Sequence, residues 1–451
     1  MHTLLPERHP LTTLLARNNW TAAAYLHRVA ARHRALGFGA MATRREKLTR
    51  WTRSGTIPQR SAQLAIASLH GIDPAEVDRR GWPDFLLLAL DDDRVIVESP
   101  WTPAGTVEVL MTVGAPVDRR GFLMTSTSAL AAALAQWTTA TPATASMATS
   151  GRRIGLETAE LFDTRLAALR HLDDTVGARQ VYDAAMVELR LITDTLIRAS
   201  YSTATAHRLF ACAAEAARLA GWCAYDAGRH ASAERHFITS LRAAGSAQDT
   251  TLGAITLAFW ANLRYTAGDP RSALHLIDGA LADRRRISSP RVLALLHARA
   301  ARAHSTAGEP AAAWRQVDAA FAAYAAARLA EEDQPSLYWI NHGELHQFAA
   351  SSALTLGEPK RALEHFTAAT THHDPYDTTR EARGTAIYLA RQAEAHLALG
   401  DVDSALDVAN QVIGTVGGVD SVRATSASND LRNSLSTHQH IPAIRELLEG
   451  L

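Results

Sequence analysis

The sequence predicts an all-α protein: an N-terminal helix-turn-helix domain over residues 1–90, a linker with short helices over 91–155, and a helical-repeat solenoid over 156–451. Three observations carry this expectation. Basic charge is concentrated at the start, where residues 1–60 hold eleven Arg and Lys against two acids, although the chain of 451 residues has net charge +0. The same region is filled by short amphipathic segments with helix start and stop signals. From residue 156 the chain is Ala- and Leu-rich and repeats one Gly-centred pattern five times. Hydrophobic residues at 47% and charged residues at 20% suit a chain that buries a large core.

In the head, Thr21 can cap a helix, with Trp20 and Tyr25 as a hydrophobic staple. Tyr25, Leu26, Val29, Ala30 and His33 follow at helical spacing, and Gly37 and Gly39 end the segment. Thr43-Arg44-Arg45-Glu46 has the form of a capping box for a second, short helix. Leu48 and Trp51 give that helix an apolar side, opposed by Glu46, Thr49, Arg50 and Arg53 and flanked by Arg45 and Lys47. Gly55 and Pro58 stop it. A further helix carries Leu64, Ile66, Ala67 and Leu69 and ends at Gly71, and Asp73-Pro74 starts another. A short helix with a small apolar anchor and an Arg-rich outer face suits the major groove of duplex DNA, where arginines reach guanine edges or phosphates.

Residues 43–72, TRREKLTRWTRSGTIPQRSAQLAIASLHGI, resemble the recognition-helix half of the lambda-repressor-like (Xre) helix-turn-helix family. The likeness rests on Leu48-Thr49-Arg50-Trp51, on Gly55 and Pro58, and on Leu64, Ala67, Leu69 and Gly71-Ile72. It implies base-reading positions at Arg45, Glu46, Thr49 and Arg50, and phosphate clamps at Arg44, Lys47 and Arg53. Residues 35–42 depart from the family, being longer than its usual tight turn.

The linker is punctuated by Pro100, Pro103, Pro116 and Pro142 and contains Asp91-Asp92-Asp93. Its Thr-, Ala- and Ser-rich stretch 138–150 reads as a flexible tether. Asp118-Arg119-Arg120-Gly121-Phe122-Leu123-Met124 imitates a twin-arginine export signal, but such signals act at an N-terminus, so it reads as linker followed by a short helix over Ser128–Trp137. The first thirty residues are polar and basic, unlike a signal peptide, and no apolar stretch reaches the roughly 20 residues of a membrane span. A cytoplasmic location is expected. Cys212 and Cys223 share one helix face about 16 Å apart, too far to bridge, and read as buried free thiols.

The repeats turn at Gly228, Gly268, Gly308, Gly357 and Gly400, at intervals of 40, 40, 49 and 43 residues. Five residues after each Gly stands an alanine: Ala233, Ala273, Ala313, Ala362 and Ala405. Seven residues before stands Gly221, Ala261, Ala301, Ala350 or Ala393. Twelve after comes Ser240, Ala280, Ala320 or Ala369, with Val412 as the exception; nine after comes Phe237, Ile277, Val317 or Phe366, shrinking to Ala409. Paired helices approach closely only where side chains are small, and the large residue fills the gap to the next pair. Residues 156–198, turning near Gly177, form an irregular leading hairpin, and 419–451 a closing cap.

These units resemble the tetratricopeptide repeat (TPR), with Gly-Asp-x-x-x-Ala at Gly268 and Gly400 and Gly-Glu-Pro-x-x-Ala at Gly308 and Gly357. In such arrays the first helix of each hairpin lines a concave groove. By that resemblance the groove positions are Glu215, Arg218, Trp222 and Tyr225, then Asn262 and Tyr265, then Arg302, then Glu344, Gln347 and Ser351, then Glu394. An Asn at position 262 would clamp a peptide backbone, since its amide both donates and accepts. The order of parts is similar to actinobacterial Xre-type regulators with TPR repeats, a likeness strengthened by residues 219–230, LAGWCAYDAGRH, by Asp173-Asp174 and by Asp118 to Leu123. It implies a homodimeric transcription regulator whose repeats sense a signalling peptide, as in quorum sensing, or a small molecule. The alternative is a TPR interaction scaffold without sequence-specific DNA binding.

No phosphate-binding Gly loop, nucleophile elbow or kinase signature is present, so no enzyme and no cofactor are expected. His372-His373-Asp374 and His438-Gln439-His440 lack a matching Cys/His set, so no metal site is expected either.

Overall fold

The computed structural model describes residues 9–114, 127–145, 151–326, 334–378, 381–416 and 421–449. The Asp118–Met124 motif therefore lies outside the described residues. Those described form helices and no strand, as the composition and periodicity predict.

The head contains α1 (Pro10–Arg17), α2 (Ala22–Ala35), α3 (Arg45–Arg53), α4 (Arg60–Leu69) and α5 (Pro74–Arg80). Thr21 caps α2 by accepting from the Ala24 amide, and Trp20 stands against Tyr25 with ring centroids 5.9 Å apart. Leu11, Leu14, Tyr25, Leu26, Val29 and Ile66 are buried together. The expected capping box does not form: α3 begins at Arg45, with Arg44 at the cap and no side-chain cap bond.

A 3-10 turn (Asp84–Ala89) buries Phe85, Leu86 and Leu87 and leads into α6 (Asp91–Glu98), α7 (Pro103–Gly114) and α8 (Thr127–Thr138). Here the structure corrects the reading of a flexible tether. The linker helices lie on the array, and helix glycines make room for them. A Cβ at Gly253 would stand 2.4 Å from Trp137, and one at Gly279 would stand 2.7 Å from Leu134. The Thr/Ala-rich stretch is also tied down at Ala143. The Ala143 amide donates to Ser246 O at 2.8 Å, and His207 Nε2 lies 2.8 Å from Ala143 O. Main-chain hydrogen bonding and two buried aromatic and aliphatic anchors override the low complexity of the composition.

The leading hairpin is α9 (Leu156–Val176) and α10 (Ala178–Arg198). Five hairpins follow: α11 (Thr203–Asp226) with α12 (His230–Ala247), α13 (Thr250–Thr266) with α14 (Pro270–Leu281), α15 (Pro290–Thr306) with α16 (Pro310–Ala325), α17 (His342–Thr355) with α18 (Pro359–Thr371), and α19 (Ala382–Ala398) with α20 (Val402–Val416). Then come α21 (Val422–Ser436) and α22 (Pro442–Glu449). Each of the five turns places its Gly at φ between 73° and 88°, a region closed to most side chains. The amide after each Gly bonds the carbonyl five residues earlier, as in Asp269 N to Arg264 O at 2.9 Å, which closes the helix end. The small-residue columns are buried throughout. Phe237 fills the space beside Gly221, where a Cβ would meet its ring at 2.8 Å. Both cysteines are buried and free.

Candidate nucleic-acid interface and inner wall of the array

Helix α3 is held to the head by one buried residue, Trp51, whose ring meets Trp82 edge-on at 6.2 Å. Leu48 is half-buried beneath it. The rest of the helix faces outward. Arg44, Arg45, Glu46, Thr49, Arg50 and Arg53 are all exposed, and among the described residues none of these arginines has an acidic partner. Lys47 behaves differently. It lies over the Trp51 ring at 5.4 Å, and burial, followed by the neighbouring Arg50 charge, lowers its ammonium from the usual range.

The long connection before α3 is anchored rather than loose. His33 reaches Gly39 O through Nδ1 and Ser61 Oγ through Nε2, both at 3.0 Å. Gly37 and Gly39 adopt φ of 82° and 81°. This connection walls a hollow of about 460 Å³ beside α3, lined by His33, Phe38, Met41, Lys47, Arg50 and Trp51 among others. The paired glycines are its one mark in the sequence.

The linker is tied to the array through Arg242 on α12. It is 1% exposed, donates to Ser99 O at 2.7 Å and Pro100 O at 2.6 Å, and lies 4.8 Å over the Trp101 ring. Burial pushes its guanidinium down to about 10. Sequence reasoning missed this residue, because one Arg in an amphipathic helix looks like surface charge.

The predicted groove positions do come together along α11, α13, α15, α17 and α19, but as a buried wall. Glu215, Arg218, Tyr225, Asn262, Tyr265, Arg302, Glu344, Gln347 and Ser351 are all under one-tenth exposed, and Trp222 and Glu394 are half-buried. The array closes on itself over this wall. Arg383 at the start of α19 bonds Asp173 of the leading hairpin at 3.0 Å and Asp226 of the first at 3.4 Å. Ser421 donates to Asp226 at 2.9 Å, Arg423 lies 3.6 Å from it, and Tyr338 donates to Asp174. Trp222 donates to Asp173 at 3.0 Å and meets Phe259 edge-on at 5.2 Å.

Polar groups on the wall are unevenly satisfied. Arg218 is paired with Glu215 at 2.7 Å, as is Arg170 at 2.8 Å. Tyr388 donates to Glu344 at 2.8 Å. Burial nonetheless pushes the Glu344 carboxyl up to about 8, against the opposing pull of Tyr388, Arg299 and Arg423. Burial raises Glu394 to about 7. Buried atoms without a hydrogen-bond partner here include Arg170 Nε, Tyr225 Oη, Asn262 Nδ2, Arg299 Nε and Gln347 Oε1.

His372 and His373 fall in a wider histidine group. His372 stacks on His342 at 4.2 Å, and His346 Nδ1 lies 3.0 Å from His365 Nδ1. Burial lowers His346 to about 4. Among the described residues no set of His, Cys, Asp or Glu is disposed to hold a metal ion. No described helix is long and apolar enough to cross a membrane.

No family model, curated protein or solved structure matches the chain.

Proposed function

We propose that this chain is a DNA-binding transcriptional regulator of the helix-turn-helix kind, whose TPR-like array senses a small molecule or signalling peptide or mediates homodimerisation. The observation that carries the reading is α3: a short helix fixed by Trp51 and presenting Arg44, Arg45, Arg50 and Arg53 to solvent, with no acidic partner among the described residues. Such a face fits the major groove, with Arg45, Glu46, Thr49 and Arg50 towards bases and Arg44 and Arg53 towards phosphates. The half-covered Lys47 is the weakest member of the set.

The inner wall supports the sensing role, since its unsatisfied Tyr225, Asn262 and Gln347 offer a ligand both donors and acceptors. The packed linker supports direct transmission. A change in hairpin packing at α12 would move α7 and α6 through Arg242, and with them the head. A homodimer is supported by the leading hairpin, which leaves Leu161, Leu172, Val187 and Leu191 exposed.

The test is a gel-shift or anisotropy titration of the full chain with duplex DNA across salt concentrations. Six phosphate contacts would give a log–log slope of roughly −5. A flat salt response, or no binding at low ionic strength, would remove the regulator reading. The interaction scaffold would then stand.

A further inference from the structure

Three arginines of the inner wall have no ion-pair partner among the described residues. Arg299 and Arg302 on α15 are 5% and 8% exposed, and Arg391 on α19 is half-buried. None of the three forms an ion pair among the described residues; each donates to a neutral oxygen instead. Arg299 donates to Tyr265 Oη at 2.8 Å, Arg302 to Thr355 Oγ1 at 3.0 Å, and Arg391 to Ser351 Oγ at 2.7 Å. Ser351 and Thr355 stand one turn apart on α17, joined by a 2.9 Å bond from Thr355 Oγ1 to Ser351 O. Arg302 and Arg391 therefore converge on one stretch of α17 from the two helices that flank it. Tyr265 takes the Arg299 hydrogen bond and lies 5.9 Å from the Arg302 guanidinium, so Arg299 belongs to the same cluster.

Burying guanidinium groups without a counter-charge is costly, and like charges held together add to the cost. The strain registers on Arg302, which burial, and then Arg391 and Arg299, bring down to about 10, so that it stays charged at neutral pH. Two acids interact with the cluster, Glu344 with Arg299 and Glu394 with Arg391, but burial raises them to about 8 and about 7, which weakens both as counter-charges at neutral pH. Beside the cluster, Arg299 Nε and Gln347 Oε1 are buried without partners. Guanidinium groups present planar pairs of donors that match the oxygens of a carboxylate or phosphate.

We infer that Arg299, Arg302 and Arg391 form a buried oxyanion site, and that the ligand of the array carries a carboxylate or phosphate group held there. The inference rests on the reading of the array as the sensing body. Gln347 Oε1 would then accept from a hydroxyl or amide on the same ligand, and Asn262 Nδ2 would donate to it.

The experiment is thermal unfolding of the full chain at pH 7 and constant ionic strength, with chloride replaced by inorganic phosphate or by acetate. The two anions distinguish a phosphate-bearing from a carboxylate-bearing ligand. Saturating occupancy should raise the midpoint of the natural chain by about 3 °C. Arg302→Met should abolish that rise, while its anion-free midpoint should lie at or above that of the natural chain because an unneutralised charge has gone. Arg302→Lys keeps the charge and should keep part of the rise, which decides the matter if Arg302→Met does not fold. No anion-specific rise in the natural chain, or equal rises in all variants, would overturn the site. DNA binding is read separately, so a chain that binds DNA without an anion effect rejects the ligand class alone. A chain stabilised by anions that fails to bind DNA leaves this site standing and removes the regulator reading.

Discussion

Glu344 is a carboxylic acid whose surroundings favour its neutral form. Burial is the largest cause of its rise to about 8, Glu381 adds repulsion, and the Tyr388 hydroxyl, Arg299 and Arg423 pull the other way without prevailing. The native state therefore holds a proton that the unfolded chain, near 4.5, releases. The sign follows: this group's contribution to stability is present below pH 4.5 and is lost as pH rises through 8. Glu381 and Glu394, both raised to about 7, act in the same direction, so the comparison must be with a variant. Glu344→Gln keeps an acceptor for Tyr388 and removes the titration. The difference in unfolding free energy between Glu344→Gln and the natural chain should grow by a few kcal/mol, on the order of magnitude the shift implies, between pH 5 and pH 9. A difference that stays constant across that range would show that Glu344 is ionised in the native protein.

At the scale of elements, the hairpins were the most legible part of the sequence and the linker the least. The turn glycines and alanine columns report a steric demand that recurs at every hairpin, so five repetitions expose it. The connector repeats nothing. Its anchors, Trp137 and Leu134, are single residues, and their partners are glycines inside helices, Gly253 and Gly279, whose spacing follows no column. A mid-helix glycine signals a close approach, but not which segment approaches. Arg242 was hidden for a related reason: its partners are backbone carbonyls at Ser99 and Pro100, which no sequence pattern marks. Its removal should be costly. Arg242→Leu leaves the Ser99 carbonyl buried and without this donor and removes a buried guanidinium from its ring contact, so denaturant unfolding should show a loss of about 3 kcal/mol. The head should also begin to unfold independently of the array, splitting one transition into two. A single transition with unchanged midpoint would mean that Arg242 does not couple the two parts.

For the whole molecule, the basic head and the acidic body were legible from charge alone, and the order of elements followed from cap signals and periodicity. The closing of the array was not. It depends on Arg383 meeting Asp173 and Asp226 across more than a hundred residues, a pairing that only the accumulated curvature of successive hairpins brings about. The same curvature turns predicted groove residues into a covered wall, so a sensor reading requires the ligand to enter by opening that ring or to be enclosed as it forms. The central claim, however, is that α3 reads base sequence, and selection of binding sites by the full chain from a pool of random duplexes tests it most directly. The natural chain should enrich one motif. Arg53→Ala should enrich the same motif with weaker binding, and Arg50→Ala should lose preference at one position by a discrimination of about 1–3 kcal/mol. Failure to enrich any motif, or an unchanged motif from Arg50→Ala, would contradict the account.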